Sequence, residues 1–225
     1  MFSRILTSAL IAGAAAGLIA ALLQLVFLQP VLLHAELFEK GILTHFGSAP
    51  MSEMTVELPG FDAQRDLLSI AFSMLIYAGF GLMLVAAMTL AESNGTKITA
   101  RSGLIWGVAG FVSVHLAPGF SLPPEVPGVA AADITARQIW WFSTVGVTIV
   151  ALWLLAFGKT PVAWVISVAL LIAPHLIGAP QSEIMTGPAP TELGSLYAAR
   201  AFGVNLAGWV ALGILAGYFW STSEE

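Results

Sequence analysis

The chain has 225 residues, 58% of them hydrophobic and only 9% charged, with a mean hydropathy of +0.89 and a net charge of -5. A soluble domain of this size needs far more charge to cover its surface, and no basic run or basic-aromatic stripe suggests nucleic acid. There is no cysteine, which excludes disulfide frameworks, thiolate metal sites and cysteine nucleophiles.

In chain order, apolar runs predict spans at about 5–28, 67–90, 103–117, 139–157, 162–177 and 201–220. The first is too long for a signal peptide's apolar stretch and reads as a retained helix. The third is short and stopped by Pro118-Gly119, and the fifth carries Pro174 in its last turn. Backbone groups in lipid must be paired within the segment, so the spans are helices, and no alternating β-barrel pattern appears. The fold expected is all-α: a single polytopic helical bundle, 1–225, of six transmembrane helices arranged as three hairpins, with a main outer loop at 29–66. Small residues recur four apart, at Gly13/Gly17, Gly103/Gly107 and Gly213/Gly217. That spacing lets helix backbones approach closely and reads as packing. The short turns carrying Lys97, Arg101 and Lys159 favour an inside N-terminus.

This topology puts all four histidines on one side of the membrane: His34, His45, His115 and His175. Ten of the thirteen acids join them there, among them Glu53, Glu125 and Glu183. A three-fold rhythm underlies the arrangement. Odd helices end near His34, His115 and His175; even helices open with Arg65, Arg137 and Arg200. Imidazole and carboxylate together suit a borderline divalent cation, and broken helices form cation sites in transporters. The candidate metal residues are therefore His115, His175, His34, Glu125 and Glu183. Pro118 and Pro174 are expected to free carbonyls beside His115 and His175, and Arg65, Arg137 and Arg200 to hold the carboxylates or gate the site.

Each residue also has a plainer reading. An interfacial histidine is often merely solvated, and the arginines most simply pair with loop acids or reach headgroups. The segment Arg137-Gln138-Ile139-Trp140-Trp141-Phe142 reads as an interfacial aromatic belt. His45 reads as incidental, and Met51-Ser52-Glu53-Met54 offers soft ligands only in a minor reading. No HExxH motif, phosphate loop or base-nucleophile pair appears, so the chain reads as a non-enzyme without a tightly bound cofactor.

The segment Trp106-Gly107-Val108-Ala109-Gly110-Phe111 leads through His115-Leu116-Ala117-Pro118 to Leu122-Pro123-Pro124-Glu125-Val126-Pro127-Gly128 and Arg137-Gln138-Ile139-Trp140-Trp141. Together with Ala173-Pro174-His175 and Ala199-Arg200-Ala201-Phe202, it resembles the CbtA-type family of probable cobalt transporter subunits. The resemblance implies a bacterial inner-membrane protein of cobalt uptake, beside a small histidine-bearing membrane partner. The family is described with about five spans, against the six counted from this sequence. The residues alone point to a divalent cation, Co²⁺, Ni²⁺ or Zn²⁺; only the resemblance selects Co²⁺. The alternative expectation is a structural or accessory component of a larger membrane complex, with lipid as its constant partner and no metal transport of its own.

Overall fold

The computed structural model describes residues 2–45, 57–183 and 186–222. Met51-Ser52-Glu53-Met54 lies outside the described residues. Among those described, all regular structure is helical: α1 (Phe2–Phe27), α2 (Gln29–Glu39), α3 (Ala63–Ser93), α4 (Ala100–Phe111), a π-helical turn (Val112–Leu116), α5 (Ala117–Ser121), α6 (Ile134–Phe157), α7 (Pro161–Ile177) and α8 (Thr191–Thr222).

Among the described residues, five stretches are long and apolar enough to cross a membrane: α1, α3, Ala100–Ser121, α6 and α8. The expected fifth run, α7, has 17 residues, or about 25 Å of helix against a hydrocarbon core of about 30 Å. Pro161 fixes its start, and Gly178, in a left-handed conformation at φ 89°, ends it. Large apolar side chains point outward, as lipid requires: Ile105 is 70% exposed and Val165 69%.

The sequence reading differs from the structure in three places. Pro118 does not stop the third run. Proline lacks an N–H and its ring crowds the carbonyl four residues back, here Val114, but the wider π turn of Val112–Leu116 relieves that conflict. The helix therefore continues to Ser121, giving a stretch of 22 residues. Second, the stretch after α1 is not all loop: Pro30 sits in the first turn of α2, which carries His34 within a helix. Third, α8 begins at Thr191, so Arg200 lies well inside it and does not open it.

The chain divides into two compact units. Unit 1 comprises 1–26, 61–112 and 203–225. Its helices meet through glycine. A Cβ on Gly13 would lie 2.4 Å from the Ala78 Cα, and one on Gly17 2.5 Å from the Met74 Cα. Those pairs make α1 and α3 antiparallel, and the Ser73 hydroxyl donates to the Gly17 carbonyl at 3.1 Å. Gly103 and Gly107 face Gly213 and Trp209 as closely, which makes α4 and α8 antiparallel. Gly81 and Tyr77 meet Leu212 and Gly208, so α8 runs parallel to α3. At one end, Arg4 donates to the Trp220 carbonyl and stacks 3.9 Å over its ring, while the indole N–H donates to Glu92 at 3.0 Å. All three small-residue pairs read from the sequence are thus helix contacts.

Unit 2 comprises 27–60 and 113–202. Here α6 packs against α7 and α5. Asp133 caps α6 by accepting from the Ala136 N–H at 2.9 Å, and Thr160 caps α7 through the Ala163 N–H at 3.2 Å. A small buried cluster of Ala35, Val126 and Ala189, flanked by Phe38 and Tyr197, joins α2, both long loops and α8. Gly128 and Gly187 bring the two loops into backbone contact.

Candidate metal site

The ends of α5 and α7 and the start of α6 converge in unit 2. Ser121, the last residue of α5, is hydrogen-bonded to His175 Nδ1 at 2.8 Å. The His175 ring also meets Phe120 edge-on at 5.2 Å and Trp140 at 6.2 Å. The Trp140 indole N–H donates to the Pro174 carbonyl at 3.3 Å. The expected aromatic belt is therefore divided: Trp140 is buried and braces α7, whereas Phe142 faces outward at 67% exposure. A mid-belt tryptophan turns inward because a carbonyl near a helix end offers its N–H a partner.

Beside this junction lies a cleft of about 500 Å³, walled by the 122–132 loop, the 180–190 loop and the first turns of α8. The apolar part of its lining is mostly alanine, proline and valine. The polar groups that reach it are His45, Ser121, Glu125, Gln181, Ser182, Thr186, Thr191 and Ser195. Behind Glu125, the Arg137 guanidinium reaches its carboxylate at 2.7 Å. Ser121 thus couples the cleft to His175, and Glu125 couples it to Arg137.

The sequence-derived residues fare differently. Glu125 lines the cleft and His175 stands one hydrogen bond behind it. Glu183 is exposed in the loop next to Gln181 and Ser182, which do line it. His115 lies half-buried in the π turn, and His34 is on α2 with its ring 5.5 Å from Phe38. Pro118 is buried at the start of α5, and Pro174 is buried in the last turn of α7. Arg65 pairs with its neighbour Asp66 at 2.7 Å in unit 1, and Arg200 donates to the Phe27 carbonyl at 3.1 Å. Every one of these residues except Arg65 belongs to unit 2. Among the described residues, no group of three or more His, Asp or Glu side chains converges tightly enough to hold a metal ion.

The sequence reading set His45 aside, yet it lines the cleft. It also passed over Ser121, whose helical position follows only from the π turn. The signal for Ser121 was its place three residues after a proline that turned out to lie within a helix.

The match that decides the family extends over residues 2–221, nearly the whole chain, and its description is "Probable cobalt transporter subunit (CbtA)". The chain belongs to the CbtA family. No curated protein and no solved structure matches it. Five long apolar helices and CbtA membership make it a multi-pass membrane protein of a transporter-subunit family.

Proposed function

We propose that this chain is a membrane subunit of a divalent-metal uptake transporter, with cobalt as its cation, in the bacterial inner membrane. The single observation that carries this reading is the cleft in unit 2, where Glu125 and the Ser121–His175 pair meet the polar lining. In this reading Glu125 collects the cation at the mouth, and His45 lines the same cleft. His175, held in orientation by Ser121, receives the cation next, as ligand histidines are fixed through their second ring nitrogen. Glu183 on the adjoining loop, His115 in the π turn and His34 on α2 are the further donors along the path. Protein donors replace only part of the hydration shell, so a three-ligand cage is not required at a transient capture point. The cation is cargo, and no resident cofactor is invoked. Other subunits complete the transporter, since the family is that of a subunit.

We also propose that α7 completes six crossings. The chain leaves unit 1 along α4 and returns along α8 in the opposite direction. An even number of crossings must lie between them, and α6 supplies one. The return crossing falls to α7, whose last turn lies beside the start of α6 through the Trp140–Pro174 contact. Its 17 residues suffice where it is packed against protein, with a locally thinner bilayer or with flanking residues reaching the interface.

The test is cobalt accumulation in cells expressing the chain, compared with an equally expressed His115→Ala/His175→Ala variant. Uptake raised by the wild type and lost in the variant is the expected result; equal uptake by both overturns the assignment of these histidines.

A further inference from the structure

We infer that Arg137 is a built-in competitor for the cation at Glu125, so that the cleft opens its carboxylate only to a cation that displaces the guanidinium. This inference rests on the reading of Glu125 as a cation ligand. Glu125 is the one carboxylate lining the cleft among the described residues. Among the described residues, a cation bound there through a carboxylate would use this group. Its Oε2 is already engaged by Arg137 Nη2 at 2.7 Å. Both side chains are about a quarter to a third exposed, at 25% and 29% for Arg137 and Glu125, so the pair is open enough to exchange.

The state of the guanidinium supports exchange. Arg137 Nε is buried and has no hydrogen-bond partner among the described residues. A fully engaged arginine-carboxylate pair uses parallel N–H donors and is correspondingly hard to separate. Here part of the donor fork is idle, which removes some of the resistance to opening. Arg137 lies in the first turn of α6 after the Asp133 cap, so its backbone is fixed while its long side chain can swing. A divalent ion brings twice the charge of the guanidinium to the same oxygen. A monovalent ion brings no more charge than arginine does and lacks its tethering, so the device favours divalent cargo.

A closed ion pair of this exposure reduces the fraction of binding-competent cleft, and the apparent affinity falls by that fraction. Removing the competitor should therefore tighten binding by roughly two- to tenfold. The experiment is equilibrium dialysis of the purified full-length chain in detergent with Co²⁺ alone. It uses wild type, Arg137→Gln, Arg137→Lys and Glu125→Gln, with phenylglyoxal labelling of Arg137 in wild type with and without Co²⁺. Exchange predicts tighter Co²⁺ binding by Arg137→Gln and faster labelling of Arg137 when Co²⁺ is bound. Arg137→Lys, which keeps the charge but not the planar fork, should fall between wild type and Arg137→Gln and guards against misfolding of the neutral variant. Co²⁺ binding that leaves Arg137 labelling unchanged overturns the competition and spares the site. Co²⁺ binding equally strong in Glu125→Gln overturns Glu125 as the ligand, and the competition with it. Failure of every variant to bind Co²⁺ overturns the capture site itself.

Discussion

The Glu125 carboxylate and the Arg137 guanidinium, twelve residues apart in sequence, close on each other at 2.7 Å across the loop between α5 and α6. The pair fixes the proline-rich loop to the first turn of α6 and stands at the wall of the cleft. It links the part of the chain that is rigid helix to the part that carries the polar lining.

The proposed six crossings would place residues near the start of α1 and the end of α8 on one side. The chain has no cysteine, so single cysteines introduced at Ser3 and Ser221 report without background. Both should react, or both resist, when intact cells are treated with a membrane-impermeant maleimide. Opposite behaviour at the two positions would mean five crossings.

The glycine contacts of unit 1 predict a sharp positional contrast. A Cβ at Gly107 would stand 2.3 Å from the Trp209 carbonyl oxygen, with no flexible side chain to yield. Gly107→Ala should lower stability by about 1–3 kcal/mol through overpacking. Nothing lies within 4 Å of a Cβ at Gly79 or Gly146. There, alanine should be neutral or stabilise by up to about 1 kcal/mol through helix propensity. Thermal denaturation in detergent distinguishes the three variants, and equal losses in all of them would refute the contact assignment.

Ser121 and His175 should behave as a unit. Removing the hydroxyl in Ser121→Ala deletes one hydrogen bond, a loss of about 0.5–1.5 kcal/mol. If His175 is a cation donor oriented by Ser121, the apparent cobalt affinity should also fall about 10- to 100-fold, as for other supporting partners of metal ligands. Combined with His175→Ala, the two changes should be clearly non-additive in uptake. Additive losses would place the two residues in separate roles.

Much of the fold was legible because lipid imposes a simple rule: apolar length, unbroken by charge, means helix. The glycine pairs were legible for a related reason, since only close backbone approach explains that spacing in three separate runs. Pro118 was misleading because the conflict it creates is local, and the π turn that resolves it depends on five residues finding a wider hydrogen-bond register. Trp140 was read as interfacial along with its neighbours Trp141 and Phe142, yet it is buried while Phe142 is exposed; one position along a helix turns a side chain by about 100°. The expected six-span topology put His115, His175 and His34 on one side, but which of them approaches the cleft depends on loop contacts such as Gly128 against Gly187. Those contacts join segments nearly sixty residues apart and leave no periodic signature in the sequence.

The most direct test of cation capture at Glu125 is cobalt accumulation at matched expression of wild type, Glu125→Gln and Glu57→Gln. Glu57 is an exposed acid that does not line the cleft. Capture at Glu125 predicts accumulation with wild type and Glu57→Gln and its loss with Glu125→Gln. Undiminished accumulation in Glu125→Gln, or none above background in any of the three, would contradict it.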